Sequence, residues 1–329
     1  MIWSRFFHFL VLGVCAFVLV AALVFGAFRQ ALVMEARSLK VEYLYIESGN
    51  SLSHIASMAR KLGLVERSWH FSAAARLLGQ ETRLQAGEYE ITPAMTLQEM
   101  VRRIAAGDVF YRKIAVPEGM SVAQVEATLW DAPGLNKEGY LSPVEGSLLP
   151  ETYYYTKGET AAAVVLRMQE NMKRELDVLW DGRAKGLPIK SKQEAVILAS
   201  IVEKETGMAD ERPLVAAVFI NRLKRGMRLQ SDPTVVYGIK YGEALGRRLT
   251  SADLREETPY NTYRIAGLPP TPIANPGLSA IAAVLSPANV DYLYFVADGT
   301  GGHAFARSLK EHNQNVRRWR HFRASQNSN

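Results

Sequence analysis

The sequence predicts an α+β fold led by a transmembrane helix, and three observations carry that prediction. Residues 6–28 form a long apolar run. A short alternating strand, a Gly- or Pro-rich turn and a Ser- or Thr-capped helix recur three times. Longer helical patterns then precede the clearest strand of the chain, near residue 295.

The apolar run, "FFHFLVLGVCAFVLVAALVFGAF", is broken in polarity only by His8, and it exceeds the roughly 20 residues a helix needs to cross a bilayer core. It is long for the apolar part of a cleaved signal peptide and has no clear small-x-small site at its end. It therefore reads as an uncleaved anchor, 6–28, behind a short tail, 1–5. Arg5 precedes the run while Arg29, Arg37 and Lys40 come after it, so charge alone does not favour export of the C-terminal part. Cys15, the only cysteine of the 329 residues, lies inside the run; the remainder needs no disulfide and no cysteine metal site.

The recurring units are "YIESGNSLSHIASMARKLG" (45–63), "YEITPAMTLQEMVRRIAAG" (89–107) and "IAVPEGMSVAQVEATL" (114–129), with Ser51, Thr96 and Ser121 at the N-cap positions. Residues 131–160 are irregular and dense in Gly, Pro and Tyr. Helices are expected over about 160–184, about 191–206 with Ser191 as cap, and about 210–226 starting at Asp210. "MRLQSDPTVVYGI" reads as extended or turning around Pro233, and 251–297 as a shaped loop up to its final strand. That strand is "DYLYFVAD" (291–298), with "GTGGHAF" turning the chain back into a further one.

The net charge of +6 is spread along the chain. No basic run interleaved with aromatics points to nucleic acid, and the densest cluster, "RRWRHFR" at 317–323, opens a polar basic tail, 317–329. None of the six histidines forms an i, i+4 pair, and there is no phosphate-binding loop, dinucleotide fingerprint or nucleophile elbow. No metal and no cofactor is expected. A carboxylate site remains.

"ILASIVEKET" (197–206) places two glutamates, Glu203 and Glu205, two positions apart at the end of an apolar helix. At about 100° per residue they point to nearly opposite sides, so they cannot serve one bond as a pair from this helix alone. Glu205 shares a face with Leu198, Ile201, Val202 and Met208; Glu203 shares one with Val196, Ala199, Ser200, Thr206 and Gly207. Glu205 is thus the carboxyl pressed into an apolar wall, where burial raises its pKa towards that of a general acid. Glu203 is expected to pair with Lys or Arg, or to accept hydrogen bonds from a nearby loop. The alternative for both is a solvated helix end.

These strings, continued by "ERPLVAAVFINRLKRGMRLQSDPTVVYG", "TPYNTY", "GLPPTPIANPG" and "YLYFVADGTGGHAF", resemble the endolytic murein transglycosylases of the MltG/YceG family. The resemblance implies an anchor in the cytoplasmic membrane, a LysM-like subdomain (41–110) and an α+β catalytic domain (111–316), both on the outer side. It implies internal cleavage of nascent peptidoglycan glycan strands that leaves 1,6-anhydro-N-acetylmuramic acid ends. Glu205, the second glutamate of "EKE", would be catalytic and Glu203 supporting. Partners would be the nascent strands, the membrane, and peptidoglycan synthases of the divisome or elongasome.

The same motifs suggest a substrate-binding set. From "LQSDPTVVYG" come Gln230, Ser231, Asp232 and Thr234, with Tyr237 as a sugar platform; from "YNTY" come Asn261 and Tyr263; from "EGSLLPETY" come Glu151 and Tyr153. The last string departs from the family pattern at Ser147, Leu149 and Glu151, which puts sugar stacking there on Tyr153, Tyr154 and Tyr155. For Asp232 and Asn261 the alternative is loop architecture. Arg222 and Arg228 would either meet substrate carboxylates or be solvated helix charges. Two other functions compete: a muramidase-type hydrolase using Glu205 with Asp232, and a glycan-binding scaffold for a synthase.

Overall fold

The computed structural model describes residues 2–36 and 38–326, without the side chains of 2–7, 9, 10, 28, 31 and 326. The chain divides into two compact units, Met1–Arg112 and Lys113–Asn329.

The first unit begins with α1 (Ile2–Leu32), which contains the whole apolar run as continuous helix. Its side chains from residue 11 to 27 are exposed, Phe17 by 75% and Leu23 by 66%. Part of the run lies outside the residues whose side chains are described, and among the described residues no helix is long and apolar enough to cross a membrane. Next come β1 (Glu42–Ile46), α2 (Leu52–Lys61), α3 (Ser68–Leu77), β2 (Gly87–Ile91) and α4 (Leu97–Ala106). Strands β1 and β2 pair antiparallel, Leu44 opposite Tyr89. Helices pack on them over Ile55, Phe71, Met100 and Ile104.

The capped helices form as the sequence predicts. Ser51 Oγ accepts from His54 N, and Thr96 closes a capping box with Glu99. In the second unit, Ser121 and Gln124 form the same box on α5 (Val122–Asp131), which comes after β3 (Arg112–Ala115). Strand β3 pairs with β4 (Thr152–Tyr155), and α6 (Ala161–Asp181) lies over both with Val164 and Met168 in their core.

Helix α7 (Lys192–Glu205), capped by Ser191, is the centre of the second unit. Every residue from Ala195 to Val202 is buried, because α6, α8 (Arg212–Lys224), α9 (Asp232–Lys240) and α10 (Leu278–Leu285) pack around it. At about 1.5–3 kcal/mol for each large aliphatic side chain, this burial fixes the helix and so the position of its end.

Three expectations are corrected here. Residues 232–240 are helical rather than extended, because Pro233 sits in the first turn, where its missing N–H costs nothing. The loop expected over 251–297 is interrupted by α10, whose short apolar run is stabilised by burial against α7 and α8. The final strand is shorter than 291–298: β5 (Tyr294–Ala297) pairs antiparallel with β6 (His303–Ala306) in a hairpin. Helix α11 (Leu309–Gln326) packs on that hairpin and runs on through residue 317.

Candidate active site

The two glutamates of α7 part company at its last turn. Glu203, its side chain only 4% exposed, accepts from Arg212 Nη2 at 3.0 Å and from Gly277 N at 3.0 Å. Arg212 Nη2 also donates to Glu118 Oε2 at 2.9 Å. A Cβ on Gly277 would stand 1.8 Å from the Glu118 carboxylate, so only glycine lets the 270–277 loop approach this cluster. Glu203 is therefore a clamp between α7, α8 and that loop, with Arg and loop partners as its facing predicted.

Glu205, the last residue of the helix, opens instead onto a cavity of about 460 Å3 that Arg222, Gln230, Asp232, Tyr263 and His312 also line. Burial is the main influence on its carboxyl and lifts it to about 7. The Ser231 hydroxyl, donating to Glu205 Oε1 at 2.5 Å, pulls the other way; the Asp232 carboxylate adds to the rise, and His303 and Arg222 oppose it. A carboxyl poised there both gives and takes a proton near neutral pH.

Ser231 is held where it can do this by a backbone kink. Gln230 adopts a left-handed conformation (φ 54°), and Ser231 N then donates to Thr262 Oγ1 at 2.9 Å. Thr234, fully buried, bonds Ser231 O at 2.7 Å and Thr262 Oγ1 at 2.8 Å. Thr234 thus supports Ser231 from behind and does not line the cavity. Exposed Asp232 accepts from the Tyr263 hydroxyl at 2.7 Å, linking the α9 N-terminus to the 258–263 loop.

The other expected binding residues are placed elsewhere. The Asn261 amide donates to the carbonyls of Asp253, Leu254 and Glu256, and its Oδ1 accepts from Tyr263 N; it shapes the loop that carries Tyr263. Tyr153 is a core residue whose hydroxyl donates to Leu149 O at 2.8 Å, and Tyr155 is buried too. Only Tyr154 of the three is exposed, since alternation along β4 sends its neighbours inward. Glu151 is exposed just before that strand, its carbonyl accepting from Val116 N. Tyr237 lines a different cavity, bonded to Glu145 Oε2 at 3.3 Å.

Arg222 is not a solvated helix charge. It is buried, donates to the carbonyls of Leu229 (2.6 Å) and Leu293 (2.7 Å), and lies 5.2 Å from the Tyr294 ring centroid. Three further groups escape a reading by motif. Glu145 accepts from Val122 N, Asn275 Nδ2 and Tyr237, and burial lifts it to about 7. His312, stacked on Tyr294, is held below its ordinary value by burial and by Arg222. Glu211 accepts from Thr206 Oγ1 (3.1 Å), His303 N (2.6 Å) and the His303 ring (Nδ1, 2.7 Å). Burial works against its charge, but the bonds from His303 outweigh it and leave Glu211 below the usual carboxylate value. Gly302 lets this hairpin turn close on Glu211, since a Cβ there would stand 2.7 Å from Glu211 Oε1.

The YceG-like family model matches residues 44–318. The chain belongs to the YceG-like family. The resemblance to the endolytic murein transglycosylases is thereby borne out. A Bacillus subtilis (strain 168) protein named endolytic murein transglycosylase is 30% identical over 303 residues, covering 82% of each chain. One of the same name from Streptococcus pneumoniae (strain R6) is 28% identical over 334 residues; they cover 87% of this chain and 59% of that longer protein. The crystal structure of a yceG-like protein from Listeria monocytogenes superposes with a TM-score of 0.52 at 28% identity, over 84% of this chain and 99% of that one. Its likeness extends to the mixed helix and strand fold.

Proposed function

We propose that this protein is a lytic transglycosylase of the cytoplasmic membrane. It cuts nascent peptidoglycan strands internally, between N-acetylmuramic acid and N-acetylglucosamine, leaves 1,6-anhydromuramic ends and so terminates elongation. The observation that carries this reading is Glu205, a withdrawn carboxyl poised at about 7 and opening onto a polar cavity. The activity for which the Bacillus and Streptococcus relatives are named supports it.

One carboxyl suffices for this chemistry. Protonated Glu205 gives its proton to the glycosidic oxygen as the bond from the muramyl C1 to that oxygen breaks. The resulting carboxylate takes the proton of the muramyl C6 hydroxyl while its oxygen bonds C1. Glu205 ends protonated, no water is consumed, and the nucleophile is already tethered, which favours attack. Ser231 orients the carboxyl; Gln230, Asp232, Tyr263 and Arg222 line the space where the reacting sugars would sit.

The exposed apolar surface of α1 supports the anchor, residues 6–28; the murein named as the relatives' substrate supports catalysis on the outer side of the membrane. Residues 41–110, with two helices between paired strands, are read as the LysM-like part, 111–316 as catalytic and 317–329 as a basic end. Membrane-bound peptidoglycan synthases are the partners this placement fits.

Asp232 lines the same cavity as Glu205, and that favours one other reading, a hydrolase with Asp232 as base for water. The mass of strand ends decides. Anhydro ends, one water lighter, are expected from wild type, and from Asp232→Asn at reduced rate. Reducing ends from wild type, with Asp232→Asn as inactive as Glu205→Gln, would replace transglycosylation by hydrolysis.

A further inference from the structure

A second cavity, of about 450 Å3, is also lined by the first turn of α9; its size falls within the roughly 300–1,000 Å3 usual for small-molecule sites. Neighbouring residues mark the divide between the two cavities. Glu205 lines the first and Lys204, one position earlier on α7, lines the second, while Asp232 lines both. Their chemistry differs. Pro233, Val236, Tyr237 and Ile273 give the second cavity apolar walls, and Gln124 and Lys204 supply polar groups.

These walls are built rather than incidental. Gln124 Oε1 accepts from Ser121 N at 2.9 Å, which leaves its NH2 to donate elsewhere. Lys204 Nζ donates to Gly119 O at 3.2 Å and keeps further donors. Ser121 Oγ donates to Gly242 O at 3.2 Å, and a Cβ on Gly242 would come within 2.4 Å of Ser121 Cβ, so the loop after α9 is seated tightly on the α5 cap. Tyr237 is held by Glu145 and packs edge-on against Tyr260, with ring centroids 4.9 Å apart.

We propose that the second cavity is a binding subsite for N-acetylated sugars of the same strand, beyond Asp232 from the bond that Glu205 cleaves. An aromatic and aliphatic wall suits the C–H face of a pyranose ring and an acetamido methyl group. The Gln124 amide and the Lys204 ammonium then donate to hydroxyl and carbonyl oxygens. Sugars held on both sides of the bond are what an internal cut requires, and the binding energy of the part that does not react goes into positioning the part that does. The inference rests on the transglycosylase reading and adds where the unreacted side of the strand is held.

The test fills the cavity. In the full-length Glu205→Gln protein in detergent, binding of a β-1,4-linked N-acetylglucosamine hexamer is measured by calorimetry, alone and with Val236→Trp or Ala244→Trp added. Ala244 lies on an exposed loop, so that variant keeps the test open if Val236→Trp fails to fold. Each tryptophan is expected to weaken binding about tenfold or more. With Glu205 intact, each should also shift products from internal fragments to longer, poorly cut strands. If folded variants bind within about twofold of the parent and cut with the same length distribution, the subsite is overturned while the transglycosylase reading stands. If wild type leaves reducing ends, that reading fails instead, and the hexamer binding still decides the subsite.

Discussion

Replacing Glu205 by glutamine separates two consequences of one withdrawn carboxyl. Activity should fall by at least 10²–10⁴-fold, the usual contribution of a general acid or base. The amide keeps the shape and still accepts from Ser231, so packing is preserved. Stability should move the other way. An ordinary glutamate titrates near 4.5, whereas Glu205 is lifted to about 7. The folded chain therefore holds a proton that the unfolded chain releases between those values. Stability from this group is complete below about 4.5 and is lost as pH rises through about 7. At about 1.4 kcal/mol per tenfold, ionising it in the folded state costs up to about 3 kcal/mol, a ceiling set by burial. Glutamine removes that cost. Glu205→Gln should melt with wild type at pH 4.5 and several degrees above it at pH 8, at about 2–4 °C per kcal/mol for a unit of this size. Thermal melts at both values, beside a strand-cleavage assay, check the pair of effects. A pH-independent difference, or cleavage near the wild-type rate, would refute the reasoning.

Two other substitutions probe residues near Glu205, and a truncation and a fusion probe the anchor. Glu203→Gln breaks a buried ion pair with Arg212 and should cost about 3 kcal/mol of stability in denaturant melts; it should lower activity less than Glu205→Gln, and the reverse order would invert the assignment of the two faces. Glu211→Gln removes charge-assisted bonds to Thr206 and His303 worth about 1.5–3 kcal/mol each. That stability is present above the unfolded carboxyl value and is lost as pH falls through the lower folded one, so the deficit of Glu211→Gln should shrink in acid, as melts from pH 7 to 3 would show. Removing residues 1–28 should release a soluble protein that retains some strand cleavage, and a reporter active only outside the cytoplasm should work when fused after Asn329; folded protein without any cleavage, or an inactive reporter, would count against the anchor.

Much of this was legible in the sequence because it is local. The caps at Ser51, Thr96, Ser121 and Ser191 depend on a side chain and a backbone N–H three residues on. The divergence of Glu203 and Glu205 comes from helical pitch alone. What could not be read is what tertiary packing decides. Asp-Pro at 232–233 starts a turn or a helix equally well; Pro233 is tolerated in the first helical turn, and the Ser231–Thr262–Thr234 network holds the chain there. Arg222 resembles any helix arginine until the carbonyls of residues 229 and 293 arrive from elsewhere in the chain. Tyr153 and Tyr154 differ only in which face of β4 they occupy, and a run of three tyrosines gives no register. Glu145 and Glu211 acquire their partners across 23 and 92 residues.

The central claim is that the C6 hydroxyl of the substrate, and not water, attacks when Glu205 acts. Digesting uncrosslinked glycan strands in 18O-labelled water and weighing the new ends tests this directly. The account predicts anhydromuramic ends that carry no label. New reducing ends bearing one 18O atom would contradict it.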